Sequence, residues 1–270
     1  MINSDTDKIL LIKTVQITPF RVLVAALKDI VEEVNMVLTP AGLKIVNMDT
    51  SHSIVVHLEL FAQNFELFIC NKPKIIIGVN MPHFSKVLNS IDNGEILSLY
   101  INEDEYNDGI VENLTAQFDN KQKSQVKIQK LKLIELGCKE MEIPPVTFSS
   151  VINLPSTDFQ KIVRDLNSMG ADVLEIRSLD NEIRFKSVCP YGSSETIRGE
   201  SDEMVIVKKH NKIIQGFYPV KHLNYFVKCT NLCNTIELYI ENDIPIIIKY
   251  NVASLGELKL GLAPIKMKHD

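Results

Sequence analysis

Residues 154–166 read Leu-Pro-Ser-Thr-Asp-Phe-Gln-Lys-Ile-Val-Arg-Asp-Leu. A proline opens a helix at little cost, because the amide it lacks would have no partner in a first turn. Phe159, Ile162, Val163 and Leu166 then recur at the three- and four-residue spacing of a single helical face. Lys161 and Arg164 fall on the opposite side at about 100° per residue. The stretch predicts an amphipathic helix over Pro155–Met169, apolar beneath and basic above.

The same arrangement occurs three more times. In Pro19–Val34, Phe20, Leu23, Leu27, Ile30 and Val31 share a face, with Arg21 and Lys28 opposite. In Pro82–Ile91, Phe84, Val87, Leu88 and Ile91 oppose Lys86. In Pro219–Cys229, Leu223, Phe226 and Val227 oppose Lys221 and Lys228. Openings at 19, 82, 155 and 219 are regular apart from a longer middle gap, as expected of one supersecondary unit used four times, two per domain. Any surface helix carries a polar outer face. This chain, however, has 34 acids to 29 bases and a net charge of -5, yet its bases gather on four equivalent faces. That distribution implies a single positive surface on an acidic body, suited to holding a polyanion without reading its sequence.

Between the helices lie strand-like runs: Gly42–Met48, Ile54–Leu60, Phe65–Ile69, Ile75–Val79 and Ile96–Ile101, then Phe148–Leu154, Val173–Ser178, Ile183–Val188, Met204–Val207, Thr235–Ile240 and Ile244–Tyr250. The fold class is α+β, built from two similar domains with antiparallel sheets and two helices each. The expected domains span 1–131 and 148–270. Residues 132–147 carry the Pro144–Pro145 pair, which stiffens the chain and prevents helix, and read as an extended connector.

A chain of 270 residues with 45% hydrophobic and 23% charged content has material for two packed domains. No apolar run approaches the roughly 20 residues of a membrane helix, and Met1–Lys8 lacks the apolar stretch of a signal peptide. The five cysteines are scattered, which suits reduced thiols. Cys229 and Cys233 lack the second pair or nearby His that a metal site needs, so no metal or cofactor is expected. Enzyme chemistry finds no support either. There is no phosphate-cradling G-x-x-x-x-G-K-[ST] and no H-E-x-x-H. Asn102–Asp108 lacks the residue order of a calcium loop and reads as a hairpin tip closing at Asp108–Gly109. Asp49, His52 and His57 lie close in sequence, but no nucleophile accompanies them.

Four segments then carry a family resemblance. Gly42-Leu-Lys-Ile-Val-Asn-Met-Asp-Thr-Ser-His52, the 154–166 stretch, Leu223-Asn-Tyr-Phe-Val-Lys228 and Leu258-Lys-Leu-Gly-Leu-Ala-Pro264 resemble, in family order, the proliferating cell nuclear antigen family of sliding clamps. The resemblance implies three subunits closed head to tail into a pseudo-six-fold ring, sheets outside and helices lining the hole. It implies contact between double-stranded DNA and Arg21, Lys28, Lys86, Lys161, Arg164, Lys221 and Lys228, the residues already singled out by helical spacing. The partner pocket of the family maps to Met48, His52, Val55, Ile143, Pro144, Pro245, Ala263 and Pro264. It would receive short hydrophobic peptide motifs of a DNA polymerase, clamp loader, flap endonuclease and ligase. Ring closure would join edge strands near Gln125–Leu131 and Glu195–Ser201, with Lys127 and Lys130 facing Glu195 and Glu200.

Departures from the family pattern are specific. Asn89 replaces a pore lysine, Gly261 replaces an aromatic residue and should widen or flatten the pocket floor, and a lysine used for ubiquitin-type modification is replaced near Asp180–Glu182. The connector is a little longer and carries Glu135, Cys138, Lys139 and Glu140. The resemblance implies a nuclear location, or cytoplasmic replication sites if the protein is virally encoded. The abundance of Asn, Ile and Lys fits an AT-rich genome, of a protist or a large DNA virus. A viral-type processivity factor of the same fold that acts without closing a ring is the alternative reading.

Overall fold

The computed structural model describes residues 7–266 except 93, 108, 138–140, 142, 180 and 209–211. Cys138, Lys139 and Glu140 of the predicted connector, Asp108 of the predicted hairpin tip and Asp180 lie outside the described residues. The N-terminal half runs β1 (Lys8–Thr14), α1 (Ile17–Leu27), β2 (Glu33–Thr39), β3 (Gly42–Met48), β4 (Ile54–Phe61), β5 (Leu67–Cys70), β6 (Ile75–Asn80), α2 (Met81–Leu88), β7 (Ile96–Asn102), β8 (Tyr106–Asn107), β9 (Ile110–Val111), β10 (Asn113–Asn120) and β11 (Gln125–Lys132). The C-terminal half runs β12 (Ser150–Pro155), α3 (Ser156–Ser168), β13 (Val173–Leu179), β14 (Glu182–Cys189), β15 (Gly192–Gly199), β16 (Val205–Lys208), β17 (Ile214–Pro219), α4 (Val220–Phe226), β18 (Thr235–Ile240), β19 (Ile246–Val252) and β20 (Gly256–Leu262).

Contacts divide the chain into two compact units. One takes in Met1–Asn47, His57–Met141 and Val252–Glu257, the other Met48–Val56, Glu142–Asn251 and Leu258–Asp270. In the first, β11, β10, β7, β1 and β5 form an antiparallel sheet in that order, with β11 at one edge. Its helices α1 and α2 pack on each other, Phe20 meeting Phe84 edge to face at 6.2 Å. In the second, β15, β14, β13 and β17 form an antiparallel sheet with β15 at the edge. Here α3 and α4 pack together, tied by Asn224 Nδ2 donating to Asn167 Oδ1 at 2.6 Å. Phe159 of α3 reaches Phe185 of β14, 6.3 Å between ring centres. Residues 143–147 are exposed coil.

All four apolar helix stripes face the interior: every predicted stripe residue is buried except Val87, which is half-buried. All four helices are shorter than their spacing predicts, the first and fourth by the most. The first stops at Leu27, not Val34, and Lys28 is its C-cap. Glu33–Thr39 becomes a strand that alternates outward and inward. The fourth ends at Phe226, and Val227–Leu232 continue as a tighter 3-10 turn. Strands β1, β2, β8, β9, β10, β17 and β20 are additions to the sequence reading.

Candidate functional site

Each basic residue owes its position to the buried stripe behind it. On α1, Phe20, Leu23, Val24 and Leu27 point inward, leaving Arg21 and Lys28 half-exposed. Asn80 caps α2, accepting from the His83 amide at 3.0 Å, and this helix exposes Lys86. Lys161 and Arg164 on α3, Lys221 on α4 and Lys228 just after it are exposed. Lys28 pairs with Asp29 at 3.2 Å, and the Lys228 ammonium lies 5.3 Å from the Tyr225 ring centre. Asp158, an acid of α3, faces away toward β15, where Arg198 Nη1 meets it at 2.5 Å. Asn89 is exposed at the C-cap of α2, so this helix offers one base where the family pattern has two.

A second cluster lies within the second unit. Asp49 organises the turn between β3 and β4: its Oδ1 accepts the amides of Ser53 (2.7 Å) and Ile54 (2.6 Å), and its Oδ2 accepts the Ser51 amide and hydroxyl. Burial pushes the Asp49 carboxyl up, but the bonds from Ser51, Ile54 and Ser53 outweigh it and hold the group below its ordinary value. The turn sets His52 at φ 54°, unusual for a side chain with a Cβ, and brings its Nδ1 to 3.2 Å from Met48 Sδ. The Ala263 amide donates to Ser53 O at 3.0 Å, so the chain after β20 lies beside this turn. Gly261 is buried, and a Cβ there would lie 3.0 Å from Ile247 Cδ1 and 3.5 Å from Val55 Cβ.

Met48, His52 and Val55 are therefore joined to Ala263 and the adjoining Pro264. Pro245 is exposed just before β19, the strand that carries Ile247. Ile143 and Pro144 are exposed on the coil before β12 and belong to the candidate by surface position alone. Ile247 and Val55 therefore leave little room for a side chain at position 261. Sequence reading missed Ile247; its place one strand from Gly261 becomes visible only once β19 and β20 are in register.

The charges of the edge strands have partners within the chain. Lys130 Nζ donates to Glu105 Oε1 at 2.6 Å, and Lys127 Nζ to Ser90 O at 3.3 Å. Glu195 lies 3.8 Å from Arg184, and Glu200 Oε1 accepts the Ile206 amide. These charges are engaged within the chain. The edges instead expose apolar side chains: Val126 and Ile128 on β11, 57% and 56% accessible, and Ile197 on β15, 48%. Cys229 is fully buried and Cys233 half-buried, and burial pushes both thiols up, away from the reactive thiolate.

Two α+β units, each with a pair of packed helices whose outer faces are basic, define a duplicated architecture. Comparison with known families gives it a place: the model for the proliferating cell nuclear antigen N-terminal domain matches residues 9–140, and that for the C-terminal domain matches 142–265. The chain belongs to the proliferating cell nuclear antigen family, whose members are non-enzymatic processivity factors. A protein of Acanthamoeba polyphaga mimivirus described as "Probable DNA polymerase sliding clamp" is 31% identical over 224 residues, covering 83% of this chain and 47% of that protein. The chain thus spans about half the length of this relative. The crystal structure of proliferating cellular nuclear antigen from Entamoeba histolytica superposes with a TM-score of 0.85 at 24% identity, over 96% of this chain and 100% of that one. This likeness concerns the fold.

Proposed function

We propose that the protein is a DNA sliding clamp, a non-enzymatic ring of three copies that encircles duplex DNA and tethers replication proteins to it. The observation that carries the reading is the exposure of basic residues on all four helices, opposite four buried apolar stripes, in a chain of net charge -5. Arg21, Lys28, Lys86, Lys161, Arg164, Lys221 and Lys228 would make weak, salt-sensitive contacts with phosphate oxygens. In a closed ring, topology retains the duplex, so loose contacts suffice and sliding is allowed.

Ring closure would pair β11 of one copy with β15 of the next. That contact would satisfy both unpaired strand edges and cover Val126, Ile128 and Ile197. Met48, His52, Val55, Ile143, Pro144, Pro245, Ala263 and Pro264 would receive short hydrophobic motifs of a polymerase, clamp loader, flap endonuclease and ligase. The site of action in this reading is a replication compartment, nuclear or viral. The domains of the clamp would span 1–131 and 148–270, with 132–147 as the connector.

Light scattering of the purified protein tests assembly, with a mass near three times 30.6 kDa expected. Retention on nicked circular DNA, with loss from linear DNA of the same length, tests encirclement. A monomer that stimulates a polymerase without such a difference would instead establish the non-ring processivity factor.

A further inference from the structure

The exposed face of the sheet β15–β14–β13–β17 carries a second cationic feature, distant in sequence from the helix bases. Glu175, Arg177, Arg184, Lys186 and Glu195 line a cleft of about 240 Å³ within one unit. Arg177 on β13 stands directly opposite Arg184 on β14, and Glu175 opposite Lys186. Like charges facing each other across antiparallel strands repel unless something lies between them.

The carboxylates nearby are already committed. Glu182 Oε1 takes both Nε (2.6 Å) and Nη2 (2.5 Å) of Arg184, and Glu175 Oε1 accepts Gln215 Nε2 at 2.9 Å. Glu195 approaches Arg184 Nη1 only to 3.8 Å. Arg177 and Lys186 have no ion-pair partner among the described residues, and Arg177 Nε is shielded from solvent without a hydrogen-bond partner. A shielded guanidinium donor lacking an acceptor is unfavourable, and an acceptor entering the cleft would relieve it.

We infer that this cleft binds a phosphoryl-type oxyanion between Arg177, Arg184 and Lys186, a site separate from the clamp reading and independent of it. The number and direction of the donors select the ligand. A carboxylate saturates one guanidinium fork, whereas a tetrahedral dianion offers oxygens to three separate cations at once. The carboxylates of Glu175 and Glu195 in the lining, with Glu182 beside Arg184, disfavour a continuous row of phosphates, so nucleic acid is not the fitting ligand. A free phosphate ion and a phosphorylated serine or threonine of a partner share the chemistry.

Calorimetric titration of the full chain with inorganic phosphate, at ionic strength fixed with chloride, tests the site. Saturable binding is expected for the unaltered protein. Arg177→Met, which keeps an apolar stem and removes the fork, is expected to weaken it roughly tenfold or more. Arg177→Lys should weaken it less, and Lys121→Met on an exposed turn of the other unit should leave it unchanged. A melting curve in chloride alone establishes that each variant is folded. Tighter binding of a phosphoserine peptide than of phosphate identifies a partner as the source, and equal binding identifies the free ion. Absence of saturation, equal binding of acetate, undiminished binding by folded Arg177→Met, or a response to duplex DNA alone would each overturn the assignment.

Discussion

Ile247 covers Gly261: a Cβ on the glycine would come within 3.0 Å of Ile247 Cδ1 and 3.5 Å of Val55 Cβ. Gly261→Ala should therefore cost about 1–3 kcal/mol through overpacking. Adding Ile247→Val, which shortens the intruding side chain, should recover part of that loss. A double-mutant cycle of denaturant midpoints measures the coupling, and additive effects would disprove the contact.

Reversing Lys28, Lys161 and Lys228 to glutamate should abolish polymerase stimulation while leaving the assembled mass unchanged. All three lie outside the buried stripes, so folding should survive. The salt dependence of DNA retention should also become shallower, because fewer counterions are released. Unaltered processivity would remove the helix faces from the mechanism.

The edge strands make a contrasting pair of expectations. Val126→Glu with Ile128→Glu should convert the assembly to monomers, as read by light scattering, with a melting temperature close to that of the unassembled chain. Lys130→Ala should leave the mass unaltered, since Lys130 is spent on Glu105 within the same chain.

Ile143→Ala combined with Pro245→Ala should weaken capture of a hydrophobic peptide without releasing the protein from circular DNA. Both side chains are exposed, so neither change empties the core. Equal loss of peptide binding and DNA retention would show that the docking cluster lies elsewhere.

Glu241 sets an acid limit. Burial pushes its carboxyl up, but Lys212, Ser149 and the Asn242 amide outweigh this and bring it down from the ordinary 4.5 to about 2. The folded value is the lower one, so the stabilisation is complete above pH 4.5 and disappears as pH falls toward 2. Melting temperature across this window should fall less steeply for Glu241→Gln than for the unaltered protein. Parallel curves would show that the group does not govern acid unfolding.

The helices were the most legible part of the chain, because buried stripes of Phe, Leu and Ile at helical spacing have few other uses. The overrun of the first helix has a local cause. Ile30, Val31 and Val34 satisfy helical spacing, while Val34, Met36 and Leu38 also alternate as a strand does, and pairing with β6 decides for the strand. Arg21, Lys86, Lys161 and the other bases could be found because their exposure follows from the stripes behind them. The cleft at Arg177 could not. Its residues come from three strands, and only the register that sets Arg177 against Arg184 brings them together. The same is true of Ile247 over Gly261, where a small residue in the sequence does not disclose which neighbour fills its space.

Asp158 and Arg198 link α3 to β15, the outermost strand of its sheet. One end of that bridge belongs to the spiral presenting Lys161 and Arg164, the other to the border a neighbouring copy would meet. If copies close as proposed, altering Arg198 should disturb the posture of a positively charged spiral, and loss of subunit cohesion and loss of sliding should travel together.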